Sequence, residues 1–171
     1  MIGIIVTGHG HFATGLKSSV ELIAGEQKNF EAVDFLAAPE DKHADIYDRS
    51  LDLLSQSVAH NLGDYGTDKL ERDIGKAIND LSEYCDGIII FADLIGGSPF
   101  KIAVTSAGSR KWVKVLAGTN LPMLCEIALA RTMIDDLDTL VSTAINVGKD
   151  GIQEFVMPKL NNEPAPGEEG I

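Results

Sequence analysis

The stretch Met1-Ile2-Gly3-Ile4-Ile5-Val6-Thr7-Gly8-His9-Gly10-His11-Phe12-Ala13 decides how the rest of the chain is read. Ile2–Val6 is apolar without a break, so a strand there is buried on both faces, as in a parallel sheet covered by helices. A glycine-flanked histidine follows. Then Leu16, Val20 and Ile23 fall at i, i+4 and i+7, the inner face of a helix that stops at Gly25.

The alternation continues along the chain. Ile88-Ile89-Ile90-Phe91, within Gly87–Ala92, is a second continuous apolar run, and Phe30–Leu36 and Trp112–Ala117 are the other strand candidates. Leu70, Ile74, Ala77 and Leu81 mark a helix with Asp68 as its expected N-cap. Further helices are expected over Pro99–Gly108, Pro122–Arg131 and Asp138–Val147. Asp45–Leu62 carries a narrower stripe (Leu51, Leu54, Val58, Leu62), and Asn61–Gly66 reads as a turn. Strands alternating with helices predict a doubly wound α/β fold with a mainly parallel sheet and helices on both faces. One domain over residues 1–158 is expected. Residues 159–171, polar and rich in Pro and Gly, are expected to form a flexible tail.

Composition narrows the function classes. The chain has 171 residues, 44% of them hydrophobic, which suits a single domain with its own core. Its net charge of −12 argues against nucleic acid or an anionic membrane as partner. No run approaches the ~20 apolar residues of a membrane span. The N-terminus lacks a basic leader, and Cys85 and Cys125 are isolated, so a reducing cytoplasm is expected. No cluster suggests a metal ligand set, and no cofactor is expected.

The first turn has two readings. Gly8-x-Gly10-x-x-Ala13 matches the dinucleotide-binding fingerprint between strand and helix, and Asp34 supplies an acid. Against it, Asp34 lies 26 residues beyond Gly8, and the bulky His9 stands where a pyrophosphate would approach. The chain also leaves little room for a catalytic domain. In the other reading His9 is a phosphoryl acceptor. The glycines clear space around its imidazole, and the following helix points free N–H groups at the turn. Neutral imidazole is a competent nucleophile near pH 7. A histidine that merely satisfies the turn is as good a reading of this segment alone.

The second turn separates them. Asp93-Leu94-Ile95-Gly96-Gly97-Ser98-Pro99-Phe100 follows the third strand. Ser98 before Pro99 reads as an N-cap with proline at N1, and Gly96 and Gly97 let the backbone amides face an anion. In a sheet of order 2-1-3-4, strands one and three flank the topological switch point, where ligands bind. His9 and Asp93 then stand on the two lips of one crevice. Asp93 can fix the imidazole tautomer and leave the other nitrogen free. The site residues expected are His9 and Asp93 for catalysis, with Gly10, Gly96, Gly97 and Ser98 around the phosphate.

With both turns in hand, the chain resembles the IIA component of the mannose family of the bacterial phosphoenolpyruvate:sugar phosphotransferase system (mannose/fructose/N-acetylgalactosamine type). The matching pieces are residues 2–16, Gly25-Glu26-Gln27, Asp93-x-x-Gly96-Gly97-Ser98-Pro99-Phe100 and Ala117-Gly118-Thr119-Asn120-Leu121-Pro122-Met123-Leu124. The resemblance implies a phosphohistidine carrier, a phosphotransferase of the cytoplasm. It would take a phosphoryl group from HPr on His9 and pass it to a separate IIB component, serving the membrane IIC and IID components indirectly. It also implies a homodimer with a sheet of order 2-1-3-4, completed by an antiparallel strand exchanged between subunits, for which Ile152–Val156 is the candidate. The membrane components choose the sugar, and the general likeness suggests an amino sugar such as N-acetylgalactosamine. The same domain type occurs in sugar-responsive regulators and as the phosphocarrier subunit of dihydroxyacetone kinases. The Gly96–Pro99 turn resembles the sugar-transport branch. Residues 37–66 look like an insertion, His43 and His60 within it match nothing, and His11 is expected to pack or face solvent.

Overall fold

The computed structural model describes residues 1–36 and 65–157. The helix expected over Asp45–Leu62, most of the segment expected to be an insertion, His43, His60 and the expected tail lie outside the described residues. Four strands, β1 (Ile2–His9), β2 (Phe30–Phe35), β3 (Gly87–Ala92) and β4 (Val113–Ala117), form one sheet of order β2-β1-β3-β4. All three pairings are parallel. The helices are α1 (Phe12–Ala24), α2 (Gly66–Ser82), α3 (Ser98–Ala107), α4 (Leu121–Ala130) and α5 (Leu137–Asp150).

The two continuous apolar runs became the two central strands. Along β1 every residue from Ile2 to Gly8 is buried, and β3 is buried throughout. Each strand therefore feeds two cores. Ile2, Ile4, Val6, Ile89 and Phe91 pack under α1, α4 and α5, whereas Ile5, Ile88 and Ile90 pack under α2 and α3. Burying one such side chain contributes about 1.5–3 kcal/mol, so these runs dominate the stability of the sheet.

Several boundaries differ from the sequence expectation. β1 runs three residues past Val6, because its neighbours offer partners that far: Gly8 pairs with Asp34 and His9 with Phe35. His9 is thus the last residue of a strand. Asp68 is not a cap. It lies in the first turn of α2, whose cap position is Tyr65, because the Gly66 N–H already donates to Leu36 O (3.1 Å) and starts the helix earlier. α4 and α5 are capped by Asn120 and Asp136, whose side chains accept from the amides of Met123 and Thr139. In this single chain Ile152–Met157 has no regular structure and leaves Ile152, Phe155, Val156 and Met157 exposed.

At the amino end of the sheet Arg131 is 2% exposed. Its guanidinium donates to Ile2 O, Asn29 O, Lys28 O and the Gln27 side chain. Four carbonyl acceptors offset the burial of the charge. Gln27, conspicuous in the sequence without an evident role, is one of them.

Candidate functional site

The site lies at the carboxyl ends of β1 and β3, the two strands from which the chain winds in opposite directions. His9 and Asp93 meet there. His9 Nδ1 lies 2.6 Å from Asp93 Oδ2, and the His9 backbone N–H donates to the same oxygen at 2.9 Å. The other carboxylate oxygen accepts from Leu94 N–H at 2.7 Å. A carboxylate only accepts, so Nδ1 carries the proton and Nε2 is left with its lone pair. Burial alone would raise the Asp93 carboxyl. The bonds from the His9 backbone, the His9 ring and the Leu94 backbone outweigh it and hold the group below its ordinary value. The Asp93 side chain is 12% exposed and that of His9 46%, so the imidazole is reachable while its orienting partner is shielded.

Close packing fixes this pair. A Cβ on Gly8 would sit 2.4 Å from the Phe12 ring and 3.0 Å from Asp93 Cβ, so glycine is required for Asp93 to approach β1. A Cβ on Gly97 would sit 3.0 Å from His9 Cε1. That crowding favours glycine at position 97, which is the cap position of α3 where Ser98 was expected. Ser98 is the first residue of the helix and makes no capping bond. Behind Asp93, its carbonyl accepts from Gly118 N–H (3.0 Å), and Thr119 Oγ1 donates to Ala92 O (2.6 Å). The Ala117–Thr119 segment thereby steadies the carboxylate from β4. The Phe35 ring stands edge-on to the His9 ring, with centroids 5.5 Å apart, a neighbour that the sequence did not reveal.

The anion-receptive groups are fewer than expected. The Gly10 amide donates to Phe35 O at 2.9 Å, so that N–H is engaged at the end of β2. Two of the opening amides of α1, those of Ala13 and Thr14, are taken too. Asp34 Oδ1 accepts from the amides of Ala13 and Thr14 (3.0 Å each), and Oδ2 from Thr14 Oγ1 (2.7 Å) and His11 Nδ1 (3.2 Å). The opening amides of α3 are not used in this way. Gly97 N–H makes a long 3.4 Å bond to Leu94 O, the Ser98 and Phe100 N–H groups have no partner within the helix, and Pro99 has no N–H. This end of α3, with Gly96 at φ +81 and Ser98, faces the His9 side of the crevice. Leu94 and Ile95 place two exposed apolar side chains on the same lip. Among the described residues no helix is long and apolar enough to cross a membrane, and no group of three or more potential ligands could hold a metal ion.

Such a structure defines a class: parallel α/β domains in which a switch-point histidine is held through Nδ1 by a carboxylate from the next strand, beside an open helix N-terminus. The family model described as "PTS system fructose IIA component" matches residues 3–48 and 55–145. The chain belongs to that family. It is 27% identical over 166 residues to the mannose-specific EIIAB component of Escherichia coli strain K12, covering 96% of this chain and 43% of that protein. It therefore spans less than half the length of that relative. It is 27% identical over 131 residues to the fructose-specific EIIA component of Bacillus subtilis strain 168, covering 77% and 71% of the two chains. A crystal structure of the phosphotransferase system component EIIA from Streptococcus agalactiae superposes with a TM-score of 0.64 at 30% identity, covering 90% of this chain and 97% of that one.

Proposed function

We propose that this chain is a phosphocarrier of a sugar phosphotransferase system, accepting a phosphoryl group on Nε2 of His9 and passing it on. The observation that carries the reading is the 2.6 Å contact that ties Nδ1 to Asp93 and leaves Nε2 free beside the open end of α3. Neutral His9 attacks the phosphorus of a phosphohistidine on the donor, HPr. The P–N bond to the donor breaks, and its electron pair stays on the donor ring. The charge that develops on the His9 ring is met by Asp93 through the Nδ1–H. Gly96, Ser98 and the α3 dipole meet the phosphoryl oxygens. Attack by a histidine of a IIB component then reverses the step. The work is positioning and charge stabilisation, as phosphoryl transfer requires.

The same reading places the protein in the cytoplasm as a homodimer, with Ile152–Val156 added to the sheet of a second copy and the IIC and IID components served through IIB. The names of its relatives do not favour a dihydroxyacetone kinase phosphocarrier or a sugar-responsive regulator. The dinucleotide reading needs a free Asp34, and that carboxylate is committed to α1 and His11. The test is to incubate the protein with phosphoenolpyruvate, enzyme I and HPr. An acid-labile phosphoryl adduct is expected on wild type and none on His9→Ala. An unlabelled wild type, or equal labelling of the variant, overturns the reading.

A further inference from the structure

Two residues at the end of β2 hold the turn that carries His9. Phe35 pairs with His9, sets its ring edge against the imidazole and accepts the Gly10 N–H. Asp34 does more. Its side chain is 11% exposed and accepts four hydrogen bonds, all from residues 11–14, the segment that leaves His9 and opens α1. The nearby Phe12 ring lies against Gly8, on the other side of His9 in the chain.

We propose that Asp34 is a positioning residue for the phosphoryl acceptor: by tying residues 11–14 to the end of β2, it fixes the turn from which His9 faces Asp93. Its Oδ1 also occupies two opening amides of α1, as an Asn oxygen could, so that those amides are not offered to an incoming phosphoryl group. Asp34 touches neither His9 nor the transferred group. It acts through the backbone of residues 11–14, beyond the point where the β1–β2 pairing ends at His9–Phe35 and the Gly10–Phe35 bond follows. The inference rests on the phosphocarrier reading for its kinetic arm and on geometry alone for its spectroscopic arm.

The test compares Asp34→Ala with Asp34→Asn. Asparagine keeps an oxygen for the amides of Ala13 and Thr14, and its NH₂ can donate to His11 Nδ1 once that ring changes tautomer. In Asp34→Ala the maximal rate of phosphoryl acceptance should fall about 10- to 100-fold with KM for phospho-HPr unaltered, since a displacement of about 1 Å costs that much. Its His9 ring ¹⁵N resonances should move in the unphosphorylated protein. Asp34→Asn should recover the rate to within a few-fold and leave the His9 resonances in place, while His11 changes from the Nδ1–H to the Nε2–H form. A folded Asp34→Ala protein with wild-type rate and His9 resonances overturns the proposal, as does an Asp34→Asn protein impaired as severely as Asp34→Ala. Should Asp34→Ala not fold, Thr14→Val removes one of the four donors and must shift the His9 resonances part of the way; unmoved resonances overturn the proposal. Failure of wild type to label would instead count against the phosphocarrier reading, with the resonance comparison still standing.

Discussion

His9 and His11 stand two residues apart on either side of Gly10, and each offers Nδ1 to an aspartate from the neighbouring strand. The distances are 2.6 Å to Asp93 on the β3 side and 3.2 Å to Asp34 on the β2 side. Both rings keep Nε2 free, and His11 is the more exposed, 72% against 46%. Orientation and access therefore do not distinguish them. The helix ends beside them do. Asp34 has already taken the Ala13 and Thr14 amides of α1, so a phosphoryl group on His11 would meet a carboxylate. Asp93 leaves the opening amides of α3 to the ligand. On the phosphocarrier reading, His9 rather than His11 is the acceptor because the transferred group brings negative charge that the open amides of α3 can stabilise.

The comparison breaks most sharply at His9 itself. His9→Ala should take up no label, with His11 and its partner intact; labelling at His11 in that variant would show that orientation suffices. Next in size is Asp93→Asn, which keeps the shape but offers an N–H as well as an oxygen to the ring and frees the tautomer. Phosphoryl acceptance should fall roughly 10²- to 10⁴-fold, the range for losing an oriented imidazole, read by rapid-quench labelling. Gly97→Ala drives a methyl against His9 Cε1 and should cost about tenfold in acceptance rate. The melting temperature should hardly change, because the Gly97 loop lies at the surface.

The pH dependence is smaller. The Asp93 carboxyl is lowered in the folded protein from its ordinary 3.8. Its stabilising contribution is therefore fully present above that value and is lost as pH falls through the lowered one. Melting temperatures between pH 6 and pH 3 should drop less steeply in Asp93→Asn than in wild type. An unchanged slope would deny Asp93 its network. The smallest effect is expected from His11→Ala. It removes one exposed contact and should change stability by less than about 1 kcal/mol and labelling by a few-fold at most.

Much of the fold was legible because the apolar runs were long and unbroken. Ile2–Val6 and Ile88–Phe91 left no polar face, so both had to become central strands, and Gly25 ended α1 as glycine commonly does. The site was legible in part. His9 and Asp93 each closed an apolar strand before a glycine turn, a pattern visible in one dimension. Asp34 was also visible, but as the acid of a dinucleotide motif. Its actual partners lie 20 to 23 residues away, and no local pattern announces them. Gly10 matched a phosphate-binding position by type, yet Phe35 O claims its amide. Phe35 was unmarked and Gly118 was marked only as part of the matching Ala117–Leu124 piece, since each acts on the site from beside another strand.

The sequence by itself therefore determined that a histidine and an aspartate would end two buried parallel strands, since continuous hydrophobicity dictates burial and glycine dictates where a strand can turn. Tertiary structure alone decided which helix N-terminus stays open. That choice depends on which carboxylate the sheet register brings to which amides: Gly8 beside Asp34 closes α1, and the bend at Gly96-Gly97 leaves α3 free.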